Sequence, residues 1–285
     1  MSGSVLHLLR RQLVLLELGV ALCAVAPASA ELPGPNRTVA NLASAYPAFI
    51  DRVDGNWLVW KDGTRMKIDD GRGGKAHETL MTSPDIKDML AFPYPAGATA
   101  SPALDIDPGR ARNAAFFDKI YGDCRTGAVA RNLVDIVWLP KKWGRKLKVT
   151  RVNDVAEKLA AVSAELDALP ANFDVYLLPP AGTYNCRPIA GTNRVSGHGY
   201  GIAVDLSAKA SDYWLWSLGT AATGRGGVDR ANLVIPYKNK LPIEIVEIFE
   251  RHGFIWGGKW YHYDTMHFEY RPELIQVPHS SAGKQ

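Results

Sequence analysis

Cysteine is scarce in this chain, with three in 285 residues. Cys23 falls in an apolar N-terminal run, so Cys124 and Cys186 remain and allow one intrachain disulfide at most. Long apolar runs are lacking after residue 30, which excludes a later bilayer-spanning segment. An excess of one charge is lacking too: the formal net charge is +4, too mild to argue for a nucleic-acid partner. Internal repeats and low-complexity tracts are absent, and a 47% hydrophobic composition argues against extended disorder.

The first thirty residues read as a secretory leader. Arg10 and Arg11 stand at the head of the apolar run QLVLLELGVALCAVAP, and Ala28-Ser29-Ala30 closes it like a cleavage site. Glu17 interrupts that run; a retained membrane anchor is the alternative, although the run is short for a span. Removing the leader takes away two arginines and one glutamate, and the net charge falls to +3. A mildly basic exported protein suits an anionic envelope polymer. Export also places Cys124 and Cys186 in an oxidising compartment, as candidates for a disulfide; two buried thiols are the alternative.

After the leader the pattern predicts an α+β fold, a small antiparallel sheet packed by helices. Residues 31–107 read as an N-terminal extension or small subdomain, with a hairpin over 56–68 reversing at Asp62-Gly63. Residues 108–276 read as the catalytic domain and 277–285 as a frayed tail. Asp107-Pro108 is expected to open a helix that ends by Gly122. Val155, Leu159, Val162, Leu166 and Leu169 share one helical face, with Asn153 as the expected cap. FDVYLLP (173–179), YGIAVDLS (200–207) and TMHFEYRPEL (265–274) are expected to contribute strands, and LPIEIVEIFERHG (241–253) a helix closed by Gly253. Trp214 and Trp216 are assigned to a short helix and to the core.

The chemistry gathers in two stretches. In SGHGYGIAVDLS (196–207), His198 and Asp205 lie seven residues apart around flexible glycines. Asp205 sits among Ala203, Val204 and Leu206, where a buried carboxylate is costly unless it is paired or bound to metal. An open zinc site needs three protein ligands. WYHYDTMHFEY (260–270) offers a third in His267, on a strand-like run. Asp264 precedes it by three residues and is placed to act as general base. Glu269 shares the face of His267 by the period of two, as a rival base or as a support for a ligand.

These two stretches, Ser-x-His-x-x-Gly-x-Ala-x-Asp and Asp-x-x-His, resemble the D-alanyl-D-alanine carboxypeptidase and VanY-type zinc peptidases and their L-alanyl-D-glutamate endolysin relatives. The resemblance covers roughly residues 180–275 and implies a LAS-type core with an N-terminal extension. It implies Zn2+ held by His198, Asp205 and His267, with Asp264 as base. FIWGGKW (254–260) is similar to a stretch preceding the last histidine in the endopeptidase branch. An arginine upstream of the first histidine would hold a substrate carboxylate, and Arg187 and Arg194 both qualify. Ser196, Trp260 and Tyr263 are further candidates for the substrate site. The spacings His-x-x-x-Asp and His-x-His do not occur, which sets aside zinc endopeptidases built on those motifs.

The resulting expectation is a monomeric zinc peptidase, periplasmic or secreted, acting on the peptidoglycan stem peptide in the bacterial cell envelope. It would have no nucleic-acid partner and no membrane contact once the leader is cut. A non-catalytic cell-wall binding protein that keeps the zinc pocket is the alternative. His77 and His279 are assigned no role.

Overall fold

Among the described residues, short alternating apolar stretches fold into three small antiparallel sheets, and the helices between them close over a shared apolar core. The computed structural model describes residues 35–92, 94–97, 101–189, 192–218 and 234–275. The leader and the 277–285 tail lie outside these residues.

Helix α1 (Pro35–Ala45) leads into a sheet of β1 (Ile50–Asp54), β2 (Trp57–Trp60) and β3 (Arg65–Lys67), with β2 central. The expected hairpin is its β2–β3 half. Asp62 organises the reversal: its Oδ1 accepts the Thr64 amide at 3.0 Å and hydroxyl at 2.6 Å. Two short helices follow, α2 (His77–Thr82) and α3 (Ile86–Met89), the second opened by a reciprocal Asp85–Asp88 capping box.

Helix α4 (Ala114–Tyr121) starts later than the sequence pattern suggests. Asn113 is the cap, its Oδ1 accepting the Phe116 amide at 2.9 Å, because the Asp107 carboxylate is committed to His262. The expected end at Gly122 holds, with φ 93°. Next come the β4 (Leu133–Trp138) and β5 (Arg145–Thr150) hairpin and helix α5 (Val155–Asp167), which buries Val155, Leu159, Val162 and Leu166 as predicted. Asn153 does not cap α5; its Nδ2 donates to the Ala45 carbonyl at 3.1 Å and ties the helix entrance to α1. The strand expected at 173–179 is replaced by a helical turn, α6 (Asp174–Leu177), running to Pro179.

The last sheet is β6 (Ala203–Asp205), β7 (Phe254–Trp256) and β8 (His267–Tyr270), ordered β6-β8-β7 with both pairings antiparallel. Between its strands lie α7 (Trp214–Ser217) and α8 (Ile243–Arg251). Gly253 follows α8 with φ 88°, as expected of a closing glycine. Phe268 stacks on Phe249 of α8 with ring centroids 3.8 Å apart, fixing the core face of β8. Burial of each such ring stabilises the fold by roughly 1.5–3 kcal/mol. Trp214 is buried, but Trp216 is 57% exposed and is not a core residue.

Leu42 and Tyr46 of α1, Trp60 of β2 and Phe116 of α4 belong to the same cluster as Leu159 and Phe268. The 31–107 segment therefore shares its core with the rest of the chain. Buried polar contacts repeat the connection. Tyr94 Oη donates to Glu250 at 2.5 Å, and the buried Lys259 spans Glu250 and the Pro95 carbonyl. Cys124 and Cys186 are joined in a disulfide with Cα atoms 5.7 Å apart. No helix among the described residues is long and apolar enough to cross a membrane.

Candidate active site

Strand alternation brings the ligand set together. In the β6–β8 ladder Asp205 lies opposite His267 and Ala203 opposite Glu269, so His267 and Glu269 share the face turned away from Phe268. His198 arrives on the turn just before β6. Ser196 Oγ accepts the His198 amide at 3.4 Å and opens that turn. Gly197 has to be glycine, because a Cβ there would lie 2.4 Å from Glu269 Oε2. The extended segment after Gly182 runs alongside, joined by Asn185 N–H to the His198 carbonyl at 3.1 Å and secured by Cys186.

Three atoms converge. His198 Nε2 is 3.2 Å from His267 Nδ1 and 3.1 Å from Asp205 Oδ1, and His267 Nδ1 is 3.0 Å from Asp205 Oδ1. The far nitrogen of each imidazole has its own acceptor. His198 Nδ1 donates to the Thr183 carbonyl at 2.5 Å, and His267 Nε2 faces Glu269 Oε2 at 3.4 Å. A proton on each outward nitrogen leaves the two inward nitrogens able to present lone pairs to a metal. Two such nitrogens and a carboxylate oxygen converge at hydrogen-bond distance, so a proton or a metal cation must lie between them. That arrangement calls for a cation. The edges of the triangle are close to the roughly 3.3 Å that tetrahedral zinc requires at its usual bond lengths. The donor set, two imidazoles and one carboxylate, suits zinc and leaves a position open.

The electrostatics agree. Burial lowers the pKa of His267, but its hydrogen bonds to Asp205 and Glu269 outweigh that and push it up to about 10. A site that holds a proton so firmly is built for positive charge. Burial raises Asp205, yet contact with His198 and His267 keeps it below the ordinary carboxylate range.

Glu269 is completely buried, and burial alone would raise it. The Arg112 guanidinium, His267 and Arg271 instead hold it well below its usual value. Arg112 donates to its two oxygens at 2.9 and 2.6 Å, and Arg271 approaches Oε1 at 3.3 Å. The chain continues through Arg271 Nε to Glu273 at 2.5 Å and from Tyr46 Oη to Glu273 at 2.7 Å. Glu269 thus orients His267 from behind and does not line the cleft.

Asp264 does line it. The cleft, about 320 Å³, is bounded by His198, Asp205 and His267 on its floor, with Asp264 and Ser196 beside them. Gly257 allows the Asp264 backbone to dock: the Asp264 amide donates to the Gly257 carbonyl at 3.0 Å, and a Cβ at Gly257 would lie 2.5 Å from the Asp264 carbonyl oxygen. Asp264 Oδ1 is buried without a hydrogen-bond partner. Burial pushes this carboxyl up to about 6, although His267 opposes the rise. A poised, unpartnered carboxylate beside a cation pocket can take a proton from water there.

The remaining expected residues divide. Arg187 is exposed on the rim, and Trp260 forms a wall, its indole donating to the Pro108 carbonyl at 2.6 Å. Arg194 is not at the cleft. Its guanidinium donates to the Arg110 carbonyl at 2.9 Å and lines a neighbouring depression with Pro84 and Asn113. Tyr263 is not at the cleft either: it is fully buried with Trp214 and Ile235, and its hydroxyl donates to the Pro236 carbonyl at 3.0 Å. Arg110, Arg112, Tyr213 and Trp216 line the cleft and were not expected there. Arg110 lies over the Trp260 ring at 5.2 Å and donates to the His262 carbonyl at 2.8 Å.

A two-histidine, one-carboxylate cluster with an acid at its side has the donor set and the proton acceptor that metal-assisted hydrolysis uses. Residues 190–270 match the family model described as D-alanyl-D-alanine carboxypeptidase, and this stretch contains His198, Asp205, Asp264 and His267. That family is one of zinc-dependent metallopeptidases. No curated protein matches the chain.

Proposed function

We propose that the chain is an exported zinc metallopeptidase that hydrolyses peptide bonds in the stem peptides of peptidoglycan. The observation that carries this reading is the 3.0–3.2 Å triangle of His198 Nε2, His267 Nδ1 and Asp205 Oδ1 opening onto the cleft that holds Asp264. Zinc in that triangle would supply Lewis-acid polarisation of the scissile carbonyl and of the attacking water. His198, Asp205 and His267 hold it. Asp264 accepts the proton of the water that attacks the carbonyl carbon, and returns it to the amine nitrogen as the C–N bond breaks.

The rim supports an anionic, peptidic substrate. Arg187, exposed and donating to the Pro188 carbonyl at 3.4 Å, can pair with a carboxylate of the stem peptide. Arg110 stands across the same cleft, and Trp260 and Trp216 offer flat apolar walls. The disulfide and the leader-like N-terminus support export to the bacterial envelope.

Digestion of purified peptidoglycan, read by mass analysis of the products, tests the reading. Released D-alanine identifies a D,D-carboxypeptidase, and released muropeptide fragments an endopeptidase. Sacculi that bind the protein but yield neither product would replace the enzyme with a binding module.

A further inference from the structure

We infer that the chain carries a second cation site, formed by His77, Asp107 and His262 and separate from the His198 pocket. Each of the three offers one ligand atom, and these atoms lie within 4.8 Å of one another. They come from distant parts of the sequence: the first residue of α2, the loop before α4, and the turn between β7 and β8. Asp107 Oδ2 is 2.7 Å from His262 Nδ1 and 3.9 Å from His77 Nε2. The other Asp107 oxygen accepts the His262 amide at 2.9 Å, which fixes the carboxylate.

Asp107 is 1% exposed and His262 6%. An anion so buried requires compensation. Among the described residues its ion-pair partners within 4 Å are the two imidazoles. His77 Nδ1 is buried with no hydrogen-bond partner, and its closest carboxylate, on Asp105, is 3.9 Å away. Among the described residues no lysine or arginine lies within 4 Å of the Asp107 carboxylate, and Arg110 acts on it only from farther off.

A third cluster shows the opposite arrangement. Asp69, Asp70 and Asp85 also converge, but Lys75, only 3% exposed, inserts its ammonium among Asp70, Asp85 and Asp88. That cluster already holds its positive charge. The His77 cluster has no lysine or arginine inserted in it among the described residues.

Two imidazoles and one carboxylate select a borderline divalent cation such as zinc over calcium or magnesium. The cation would take the place of the hydrogen bond between Asp107 Oδ2 and His262 Nδ1. His77, with 20% of its side chain exposed, is the most solvent-accessible of the three. Such an ion would fasten the 31–107 segment to the 257–264 turn, which carries Trp260 and Asp264. That gives the N-terminal segment a task at the cleft without any contact with substrate.

The test counts cations. The full chain is stripped with chelator, refilled with Zn2+, freed of excess, and measured for zinc per chain. Two ions are expected in the unaltered protein, one in His77→Ala and one in His198→Ala. Hydrolysis would be abolished in the His198 variant and reduced, not abolished, in the His77 variant. His77→Gln replaces the alanine variant if that one fails to fold. One ion in the unaltered protein, or two in the His77 variants, overturns the inference. If His198→Ala leaves the count at two while His77→Ala lowers it by one, the second site stands and the catalytic assignment falls.

Discussion

Asp205 and His267 face each other across the β6–β8 ladder, and Asp205 Oδ1 lies 3.0 Å from His267 Nδ1. A directly opposed pair has close Cβ atoms by the geometry of the sheet. Two of the three proposed ligands are therefore placed by strand register, and only His198 depends on a turn. The His198→Ala variant should keep its fold but lose both stoichiometric zinc at this pocket and hydrolysis. Elemental analysis beside an activity assay checks this, and full zinc at the pocket would refute the ligand assignment.

Asp264→Asn separates binding from chemistry. Asparagine keeps the shape and the Gly257 contact but cannot accept the proton. Zinc content should hold while kcat falls by about 10²- to 10⁴-fold. Near-normal turnover would remove Asp264 from the mechanism.

The same carboxyl sets a pH limb. With its pKa pushed up by burial to about 6, Asp264 is protonated, and useless as a base, at lower pH. It is ionised and active at higher pH. A bound dication lowers the value further. The ascending limb of kcat/KM should therefore lie at or below about pH 6 and should be missing from the residual activity of Asp264→Asn. A limb centred well above 7 would point to a different base.

Glu269→Gln tests the support behind His267. The variant keeps an acceptor oxygen but strips Arg112 of its anion and leaves Arg271 with Glu273 alone. Zinc affinity should drop by about 10- to 100-fold, measured by competition with a chelator. Unfolding free energy should also fall, by roughly 3–5 kcal/mol, because the buried Arg112 guanidinium loses its carboxylate partner while Arg271 keeps only Glu273. Unchanged zinc affinity would show that the His267–Glu269 contact does not orient the ring.

Removing the disulfide by replacing both Cys124 and Cys186 with serine should lower stability by about 4 kcal/mol, from the entropy of a loop with sequence separation 62. Chemical denaturation measures it. The loss should extend to zinc retention, since Cys186 secures the segment that carries the Thr183 carbonyl and Asn185 beside His198.

Much of this site was legible because its signals are local. His198 and Asp205 sit on either side of a glycine turn, and alternation places His267 and Glu269 on one face. The arginines were not legible. Arg110 and Arg112 lie far from the motif in sequence and reach the cleft only through the packing of the loop before α4 against the last sheet. Residues 173–179 misled because a short apolar run fits a strand or a buried helical turn equally well. Asp107 looked like a helix cap because it precedes a proline, and nothing local reveals that its carboxylate belongs to His262. Tyr263 and Trp216 exchanged roles for a similar reason: two aromatics in adjacent stretches look alike until the fold buries one and exposes the other.

The most direct test of the central assignment is anomalous scattering at the zinc edge from crystals of the full chain. A peak is expected within about 2 Å of His198 Nε2, His267 Nδ1 and Asp205 Oδ1 together. Zinc-loaded crystals with no peak among those three atoms would contradict it.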